Sequence, residues 1–559
     1  MLRHTFRLAF CLATLISFFN PASASEPDLK HYTSNLPFAM PAIGLPTIPS
    51  RVMNIKDFGA VGDGHTVNTE VFAKAIAACS RTGGGRVLVP PGIWLTGPIV
   101  LASKIDLHVE RGAVIVFTGR FEDYPLVRTS FEGADLVRCT SPISALKSED
   151  IAITGEGIID GSGQAWRPVK KSKLTAGQWK QLVASGGAVG PDGSTWWPSA
   201  GALNGAAYVS KLSRSGGKTR LEDFADAREF LRPVMVSLVE CRRVLLDGPT
   251  FQNSPAWNIH PLLCEDLVIR NVTVLNPWYS QNGDGLDLDS CRRAVVYNCR
   301  FDVGDDAICI KSGKDEYGRR RGRACEQVVI ADCVVYHGHG GFTIGSEMSG
   351  GVRDMLVRDC TFLGTDVGLR FKSQRGRGGV VENIHIWNIQ MKDIPTDAIG
   401  FNLFYSGAAP DEQGETESVR AARSVDEGTP QFRRIFFKNI TCTGAERAVV
   451  LEGLPEMPIR EIRLENVLIS SRRGLQAFDA EEIGLKNVRI LSAGGPAFTL
   501  VNARKVGIEK AACTPGAPVF LKLAGPKTGE VRLSGTDWGT AAQKIERSAD
   551  VPPDAVTEQ

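Results

Sequence analysis

Three aspartates near the middle of the chain have the types and spacing that acid–base catalysis requires. Asp305 and Asp306 are neighbours, and Asp284 lies 21 residues before Asp305. Carboxyl groups that come close together disfavour joint ionisation, so one can hold a proton while another stays charged. That division suits a general acid working beside a general base. An isolated Asp-Asp pair is also compatible with a solvated turn or a calcium loop, so the rest of the chain has to decide.

A histidine and two cations follow the aspartates. His339 lies between two glycines, and Arg370 and Lys372 are two residues apart. Residues two apart on a β-strand point to the same side, so the two cations are suited to binding one carboxylate group. A neutral polysaccharide would give no reason for such a pair, which favours an acidic sugar.

The elements that must position these residues are copies of a unit that repeats beyond residue 150. In each copy, alternating apolar residues are followed by Asn or Asp and then by another apolar residue or Cys. The copies are 24, 27, 34, 27, 29, 51, 27 and 21 residues apart, with markers Asp247, Asn271, Asn298, Asp332, Asp359, Asn388, Asn439, Asn466 and Asn487. Such a period with strand-like runs and no intervening helix indicates a solenoid whose stacked copies share one core.

We predict an all-β fold, a right-handed parallel β-helix. A leucine-rich repeat fits poorly because its Leu-x-x-Leu-x-Leu spacing is missing, and a β-sandwich would need hairpin turns, which are scarce. The recurring Asn predicts a side-chain ladder at a turn between strands about 4.8 Å apart. Near the N-terminus, Asn68 precedes an apolar pattern with helical spacing over residues 71–79, which predicts a short capping helix with Asn68 as its N-cap.

The repeat also predicts which polar residues share a face. Asp305 and His339 each lie seven residues after the marker of their own copy, so they have the same phase on neighbouring coils. Asp284 and Arg370 lie 13 and 11 residues after theirs, a later phase that short loops can absorb. We expect one long face with three carboxylates, a histidine and two cations. An inverting glycosidase needs two carboxyl groups about 6.5–9.5 Å apart, which adjacent coils can supply.

Four ordered motifs resemble those of glycoside hydrolase family 28, the polygalacturonases. They are Asn282-Gly283-Asp284, Gly304-Asp305-Asp306, Gly338-His339-Gly340 and Arg370-Phe371-Lys372. The resemblance covers most of the chain after the predicted signal peptide, and the four motifs together are specific although each alone is weak. Two positions depart from the family pattern: Gly283 stands where Thr is usual, and Phe371 where Ile is usual.

The resemblance implies a role for each matching residue. Asp305 would be the general acid, Asp284 and Asp306 would hold and activate the water, and His339 would tune the acid or contact the sugar. Arg370 and Lys372 would clamp a galacturonate carboxylate, with Asn282 orienting the site and Tyr405 contacting the sugar. The implied activity is inverting hydrolysis of α-1,4-galacturonan, without a metal or other cofactor.

Exo action is expected from further likeness to the bacterial branch of the family, in residues 311–315, 345–350 and 375–379. Insertions that close the cleft would explain exo action, and residues 166–232 are one candidate. A rhamnogalacturonan or xylogalacturonan hydrolase is the nearest alternative. A calcium-dependent pectate lyase on the same solenoid and a catalytically inactive carbohydrate-binding β-helix are alternatives of other classes.

Composition and the chain ends complete these expectations. Residues 1–24 read as a secretory signal peptide, which predicts export to the periplasm or the medium. The net charge of +2 is nearly neutral and points to no particular partner. We expect no nucleic-acid partner, no membrane span, since no later segment is long and apolar enough, and a monomer. We expect an extension (25–52), one catalytic β-helix (53–545) with insertions near 166–232, 311–325 and 406–432, and a C-terminal tail (546–559). Cysteines in the strand-like runs are expected to be buried thiols.

Overall fold

The computed structural model describes residues 29–214, 219–405 and 421–558. The predicted signal peptide and most of the predicted insertion 406–432 lie outside these residues. The described chain winds through one large sheet system in which each strand pairs in parallel with the strand one coil later. The predicted right-handed parallel β-helix is confirmed. Strands stack in three long sheets, which we call the cleft sheet, the second sheet and the third sheet.

The cleft sheet carries the candidate site. Its strands are Ile99–Val100, Ile143–Leu146, Val236–Val239, Ile259–Leu262, Leu286–Asp289, Ile308–Lys311, Gly340–Ile344, Val367–Lys372, Pro496–Val501, Val519–Ala524 and Gln543–Arg547. Between Val367–Lys372 and Pro496–Val501, the cleft sheet is formed by the last parts of three long strands, each of which runs through all three sheets. These strands are Val380–Asn402, Gln431–Glu452 and Ile459–Phe478. Side chains on these strands alternate between the buried core and the open face, as the period of two requires.

The other two sheets complete each coil. The second sheet contains Val52–Asn54, Gly85–Val89, Ile105–Val109, Glu149–Thr154, Arg242–Asp247, Glu265–Arg270, Arg292–Tyr297, Cys325–Ala331, Val352–Arg358, Ala480–Glu481, Gly484–Ser492, Gly507–Glu509, Val531–Ser534 and Val556–Glu558. The third sheet contains Gly92–Thr96, Ala113–Phe117, Ile158–Asp160, Thr250–Gln252, Thr273–Leu275, Arg300–Asp302, Val334–His337, Thr361–Leu363 and Ala512–Cys513. One continuous apolar core lies between the three sheets.

The predicted asparagine ladder is present at the turn after the second sheet. Amide groups bond from coil to coil, for example from Asn298 Nδ2 to Asn271 Oδ1 at 2.7 Å and from Asn439 Nδ2 to Asn388 Oδ1 at 2.9 Å. All nine marker residues except Asp247 have a positive φ of 51–57°. Asn and Asp tolerate that left-handed conformation better than other non-glycine residues, which explains their recurrence.

Helices lie at the end and on the surface of the solenoid. The capping helix is Thr69–Arg81, and it buries Phe72 and Ile76 against the first coils. Asn68 precedes this helix but does not cap it through its side chain, a correction to the prediction, because its amide instead bonds the loop at Val61 N at 2.9 Å. The other α-helices are Leu29–Thr33, Ala176–Ala184, Ala200–Arg214 and Asp315–Arg321. Among the described residues, every helix is too short or too polar to cross a membrane.

Insertions emerge from the turns between sheets. Residues 166–232 contain two of the α-helices and a small antiparallel sheet of Val169–Lys170, Ala188–Val189 and Thr195–Trp197. Residues 311–325 contain helix Asp315–Arg321. An insertion that the sequence does not predict is the antiparallel hairpin of Leu126–Phe131 and Ala134–Cys139. Short 3₁₀ segments are Ile55–Phe58, Phe121–Asp123, Gly163–Ala165, Lys171–Lys173 and Leu221–Ala227.

The two ends of the described chain both pack on the solenoid. In the N-terminal extension, Tyr32 stacks on Tyr297 of the second sheet with ring centroids 4.1 Å apart. The predicted C-terminal tail, residues 546–559, is wrong in part. Strand Gln543–Arg547 crosses the predicted boundary, and Val556–Glu558 pairs with Val531–Leu533. Few apolar residues mark these last strands because one of their sides is no longer covered by a following coil.

The twelve cysteines among the described residues are all free, and all but Cys513 are buried. Most of them form two columns at turns of successive coils. One column contains Cys241, Cys264, Cys291 and Cys325, and the other contains Cys299, Cys333 and Cys360. The prediction of buried thiols in the strand-like runs is confirmed.

Candidate active site

The three aspartates converge at the start of neighbouring cleft-sheet strands. Asp284 precedes strand Leu286–Asp289, and Asp305 and Asp306 precede strand Ile308–Lys311 on the next coil. One carboxylate oxygen from each of the three lies within 4.8 Å of the others. Adjacent coils therefore bring the three carboxyl groups together at one edge of the cleft sheet.

Backbone hydrogen bonds between the coils fix these turns. Gly285 N donates to Asp306 O at 2.9 Å, and His339 N donates to Asp305 O at 2.9 Å. The stacked turns leave no room for a Cβ at Gly338, which would meet Asp305 O at 2.8 Å. A side chain at Gly283 would likewise collide with the Ser280 hydroxyl. The departure from the family's usual Thr at position 283 therefore follows from the local packing.

Asp306 is the most strongly paired of the three carboxylates. Arg370 Nη1 donates to Asp306 Oδ1 at 3.0 Å, and Lys372 Nζ donates to Asp306 Oδ2 at 2.7 Å. The carboxylate is 1% exposed. Burial raises the pKa of Asp306, but the Lys372 and Arg370 charges outweigh burial and hold that pKa far below its usual range. Asp306 is thus a permanently ionised group within the site.

Asp305 is paired with the histidine that the repeat predicts beside it. His339 Nδ1 lies 3.1 Å from Asp305 Oδ1, and the Asp305 side chain is 16% exposed at the open side of the cluster. Burial raises the pKa of Asp305, but the hydrogen bond from His339 lowers it, and the net direction is downward. The same hydrogen bond raises the pKa of His339 against the opposing effect of burial.

Asp284 is the most deeply enclosed carboxyl group without an ion-pair partner in the cluster. Its side chain is 3% exposed, and its Oδ1 has no hydrogen-bond partner among the described residues. Burial, followed by the charges of Asp305 and Asp287, raises the pKa of Asp284 well above its usual range. The surroundings therefore act unequally on the three carboxyl groups, because they raise the pKa of Asp284 and lower the pKa values of Asp305 and Asp306.

Asn282 and Tyr405 are both brought to the site. Asn282 Oδ1 accepts a hydrogen bond from Arg232 Nη2 at 3.0 Å, and Arg232 also bonds the carbonyl oxygens of Pro255 and Gln281. The 43% exposed Tyr405 ring lies beside the cation pair, with Lys372 Nζ 4.9 Å from its centroid. An exposed aromatic ring next to two cations offers a surface on which a sugar can stack.

Phe371 explains the second departure from the family pattern. Its side chain is fully buried on the core side of the strand, whereas its neighbours Arg370 and Lys372 face the cleft. The ring stacks on Phe401 of the next coil with centroids 4.1 Å apart and planes 5° from parallel. The replacement therefore changes the core and leaves the cleft surface unaltered.

Several charged groups around the aspartates are absent from the sequence prediction. Lys311 Nζ lies 3.1 Å from Glu347 Oε2 and 3.5 Å from Asp287 Oδ1, in a buried cluster below Asp284 and Asp306. The alternation in Leu286-Asp287-Leu288-Asp289 places Asp287 on the cleft side and could have revealed it. Lys173 comes from insertion 166–232 and lies with Nζ 3.2 Å from His339 Nε2. Its position depends on how the insertion packs, for which the sequence carries no local signal.

The fold agrees with comparisons to known proteins. The model of glycosyl hydrolases family 28 matches residues 224–489, and a model described as rhamnogalacturonase A/epimerase, pectate lyase-like matches residues 52–121. A probable polygalacturonase of Vitis vinifera is 29% identical over 426 residues, 74% of each chain.

Two similar solved structures are described as exopolygalacturonases. The Thermotoga maritima protein is 35% identical, with a TM-score of 0.67 over 80% of this chain and 93% of that chain. The Yersinia enterocolitica family 28 protein shares the fold at 22% identity, with a TM-score of 0.65 over 82% of this chain and 78% of that chain. From the matching family model, the identity to the Thermotoga protein and the shared fold, we conclude that this chain belongs to glycosyl hydrolase family 28.

Proposed function

We propose that the protein is an exo-acting, inverting glycoside hydrolase that cleaves α-1,4-galacturonosidic bonds of polygalacturonate or its oligomers. The observation that carries the proposal is the convergence of three aspartates beside the Arg370 and Lys372 pair. Hydrolysis of a glycosidic bond needs an acid for the leaving oxygen and a base for water. The cations supply the recognition of a galacturonate carboxylate.

Asp305 is assigned as the general acid because its carboxyl group is the most exposed of the three toward the cleft. In this proposal Asp284, whose pKa burial raises, supplies the proton that Asp305 donates. That transfer spans no more than 4.8 Å, which one water molecule can relay. The transfer also leaves Asp284 ionised, so a single proton movement prepares both the acid and the base.

The attacking water is assigned to Asp284 and Asp306. Asp306 is held in two ion pairs and is therefore a weak nucleophile, which favours attack by water over a covalent intermediate. The outcome expected for the anomeric carbon is inversion, which the family resemblance implies.

A calcium-dependent lyase is the alternative from another class, since three carboxylates within 4.8 Å could hold a cation. The charges present oppose this, because Asp306 is already paired with the Arg370 and Lys372 cations and burial raises the pKa of Asp284. A rhamnogalacturonan or xylogalacturonan hydrolase would bind galacturonate through the same two cations. Its substrate would differ only in the sugar next to that galacturonate.

The proposal is tested by a product time course on polygalacturonate with and without a chelator. We expect saturated short galacturonides from the outset, no ultraviolet absorbance from unsaturated ends, and no effect of the chelator. Proton NMR of the first product should show the β-anomer. Chelator-sensitive absorbance would overturn the hydrolase assignment, an α-anomer would overturn inversion, and cleavage of rhamnogalacturonan alone would change the substrate.

Replacing Lys372 by Ala is expected to weaken galacturonide binding about 10–100-fold, the value of one charge-assisted hydrogen bond, with a smaller effect on turnover. Lys372 also lowers the pKa of Asp306, so its loss raises that pKa. Since Asp306 works ionised, the acidic limb of kcat/KM should move to higher pH. Measuring kcat and KM of Lys372→Ala across a range of pH tests both the weaker binding and the shift of the acidic limb.

Lys522→Ala is the matched control for that variant. Lys522 lies further along the cleft sheet and pairs with Glu546 at 2.7 Å. It should leave both the affinity and the pH profile unchanged. Unaltered galacturonide affinity in Lys372→Ala would show that the carboxylate clamp is assigned to the wrong residue.

A further inference from the structure

A groove lies on the outer face of the second sheet, over the coils that follow the catalytic ones. One row of outward residues pairs in register from coil to coil: His385, Phe436, Arg463, Gly484, Gly507 and Arg532. A second row, two residues further along each strand, contains Trp387, Lys438, Glu465, Lys486 and Glu509. The groove has a volume of about 680 Å³. With strands about 4.8 Å apart, the first row is about 24 Å long, which is room for several sugar rings. We call it the second-sheet groove.

The groove begins where the N-terminal extension stops covering this sheet. On earlier coils the first row is apolar, and residues of the extension pack on it. Trp387 lies at the edge of that covered cluster. Beyond Trp387, the groove is lined entirely by residues of the second sheet, so its upper side is open to solvent. The outer face therefore changes along the axis from apolar and covered to polar and open.

Aromatic rings form the end of the groove nearest to the catalytic coils. The His385 ring stacks on Phe436 with centroids 4.9 Å apart and planes 22° from parallel, and Trp387 meets the His385 ring edge-on at 5.7 Å. All three rings are partly exposed. Flat apolar surface beside polar groups is suited to stacking against the face of a sugar ring.

Four exposed cations line the rest of the groove: Lys438, Arg463, Lys486 and Arg532. Among the residues that the structure describes, none of the four has a carboxylate oxygen within 4.0 Å of its charged nitrogens. The two carboxylates of the groove, Glu465 and Glu509, form no such pair either. By contrast, Arg433 at the start of a strand of the same sheet is paired with Glu382 at 2.8 Å. The groove thus has an excess of positive charge that the protein itself does not neutralise.

Two successive glycines lower the floor between the arginines. The Arg463 stem lies over Gly484, where a Cβ would meet Arg463 Cδ at 2.6 Å. Arg463 Nη1 donates to Glu482 O at 2.5 Å, which fixes the guanidinium at the side of the groove. At Gly507 a Cβ would meet no atom within 4 Å. Arg463 and Arg532 are three coils apart, about 14 Å, and each can bind a carboxylate through two hydrogen bonds.

We propose that the second-sheet groove is a second, non-catalytic binding site for an internal stretch of polygalacturonate. Such a polymer has a carboxylate on every sugar, which matches a series of unpaired cations, and its ring faces match the aromatic end. The apolar core separates the groove from the cleft, so a chain bound here is held without being cleaved. Holding the polymer raises the local concentration of further chain segments at the cleft. This inference rests on the proposed function, because it identifies the ligand with the proposed substrate.

The test compares a groove variant, Lys438→Ser/Lys486→Ser/Arg532→Ser, with a control of equal net charge, Lys104→Ser/Arg300→Ser/Lys527→Ser. The control residues are also exposed but lie outside the groove. Affinity electrophoresis in gels with and without soluble polygalacturonate, in the Asp305→Asn background, measures binding without hydrolysis. We expect the groove variant to bind the polymer at least about tenfold more weakly and the control to bind as well as the parent.

Kinetics of the same changes in the active enzyme separate the groove from the cleft. The groove variant should raise KM for polygalacturonate about 3–10-fold and leave kcat/KM for trigalacturonate unchanged, because the short substrate needs the cleft alone. Gly507→Glu, which places a carboxylate in the groove without removing a cation, should have the same effect. Gly494→Glu is its control, because a Cβ there would also meet no atom within 4 Å and Gly494 lies outside the groove.

The outcomes distinguish this inference from the proposed function. Wild-type polymer affinity in both the groove variant and Gly507→Glu would overturn the second site, and so would an equal loss in the groove variant and its control. A dimer in sedimentation that only the groove variant loses, with polymer affinity unchanged, would identify a second copy of the chain as the occupant instead. If the wild type hydrolysed neither trimer nor polymer, the proposed function would fall. Groove-dependent retardation in the gel would then still support a site for the acidic polymer.

Discussion

Replacing Asp305 by Asn is expected to lower the turnover of polygalacturonate by about 10²–10⁴-fold and to leave the fold intact. An amide cannot donate the proton that the leaving oxygen needs. It can still accept hydrogen bonds from Asp306 N and His339, which hold the Asp305 carboxylate in place. Because the substrate clamp is untouched, KM should change little. Steady-state kinetics measure the turnover and KM of the variant, and circular dichroism shows whether its fold is intact.

Asp302→Asn is a matched control on the same coil. Asp302 also pairs with a histidine, His337 Nδ1, at 2.9 Å, but the pair is exposed on the third sheet, away from the cleft. Its loss should leave turnover unchanged. Wild-type turnover in Asp305→Asn would refute the assignment of the acid, and an equal loss in both variants would point to a structural effect of removing an Asp–His pair.

Replacing Lys311 by Met is expected to destabilise the protein by about 3–5 kcal/mol, the range for removing one partner of a buried ion pair. The ammonium group is 4% exposed and is the cation nearest to Glu347 and Asp287. Burial raises the pKa of Glu347, but Lys311, together with Lys372 and Arg377, outweighs burial and lowers that pKa to about 2. Without Lys311 the Glu347 charge loses its main compensation. The midpoint of chemical denaturation should fall accordingly.

Lys505→Met is the control that shows whether the destabilisation comes from loss of the buried ion pair or from replacing a lysine at any position. Lys505 Nζ lies 2.9 Å from Glu481, but the two side chains are 43% and 21% exposed, and ion pairs near the surface contribute little. The control should denature close to the wild-type midpoint. The double variant Lys311→Met/Glu347→Gln should recover part of the lost stability, because it removes the orphaned charge. Equal midpoints for Lys311→Met and the control would contradict the proposed importance of the buried pair.

The fold can be predicted because its signals are local and repeat. A left-handed turn residue is needed once per coil, so Asn or Asp recurs in the sequence at the period of the structure. The phase of Asp305 and His339 within their copies places them correctly on adjacent coils. The hairpin 126–139 escapes prediction because it precedes the first clear copy of the repeat beyond residue 150, so no lengthened period marks it as an insertion.

The electrostatics of the site depend on distances that the sequence does not contain. The motifs identify Asp284, Asp305 and Asp306 as a group, yet which of them holds the proton is set by burial, by His339 and by the cation pair. The sequence predicts cations that face the substrate, whereas in the structure they also hold Asp306. Lys173 reaches His339 through an insertion whose packing no motif describes.

The two columns of buried thiols place a constraint on the order of events during folding. Neighbouring coils bring cysteines to about 4.8 Å, within the Cα separation at which a disulfide can form, yet the native thiols are free. Burial raises the pKa of Cys264 and Cys333 well above the usual range, so the native thiols contain little of the reactive thiolate. The unfolded chain has no such protection. In an oxidising compartment, coil stacking must therefore be faster than thiol oxidation. The yield of native protein then depends on the ratio of these two rates.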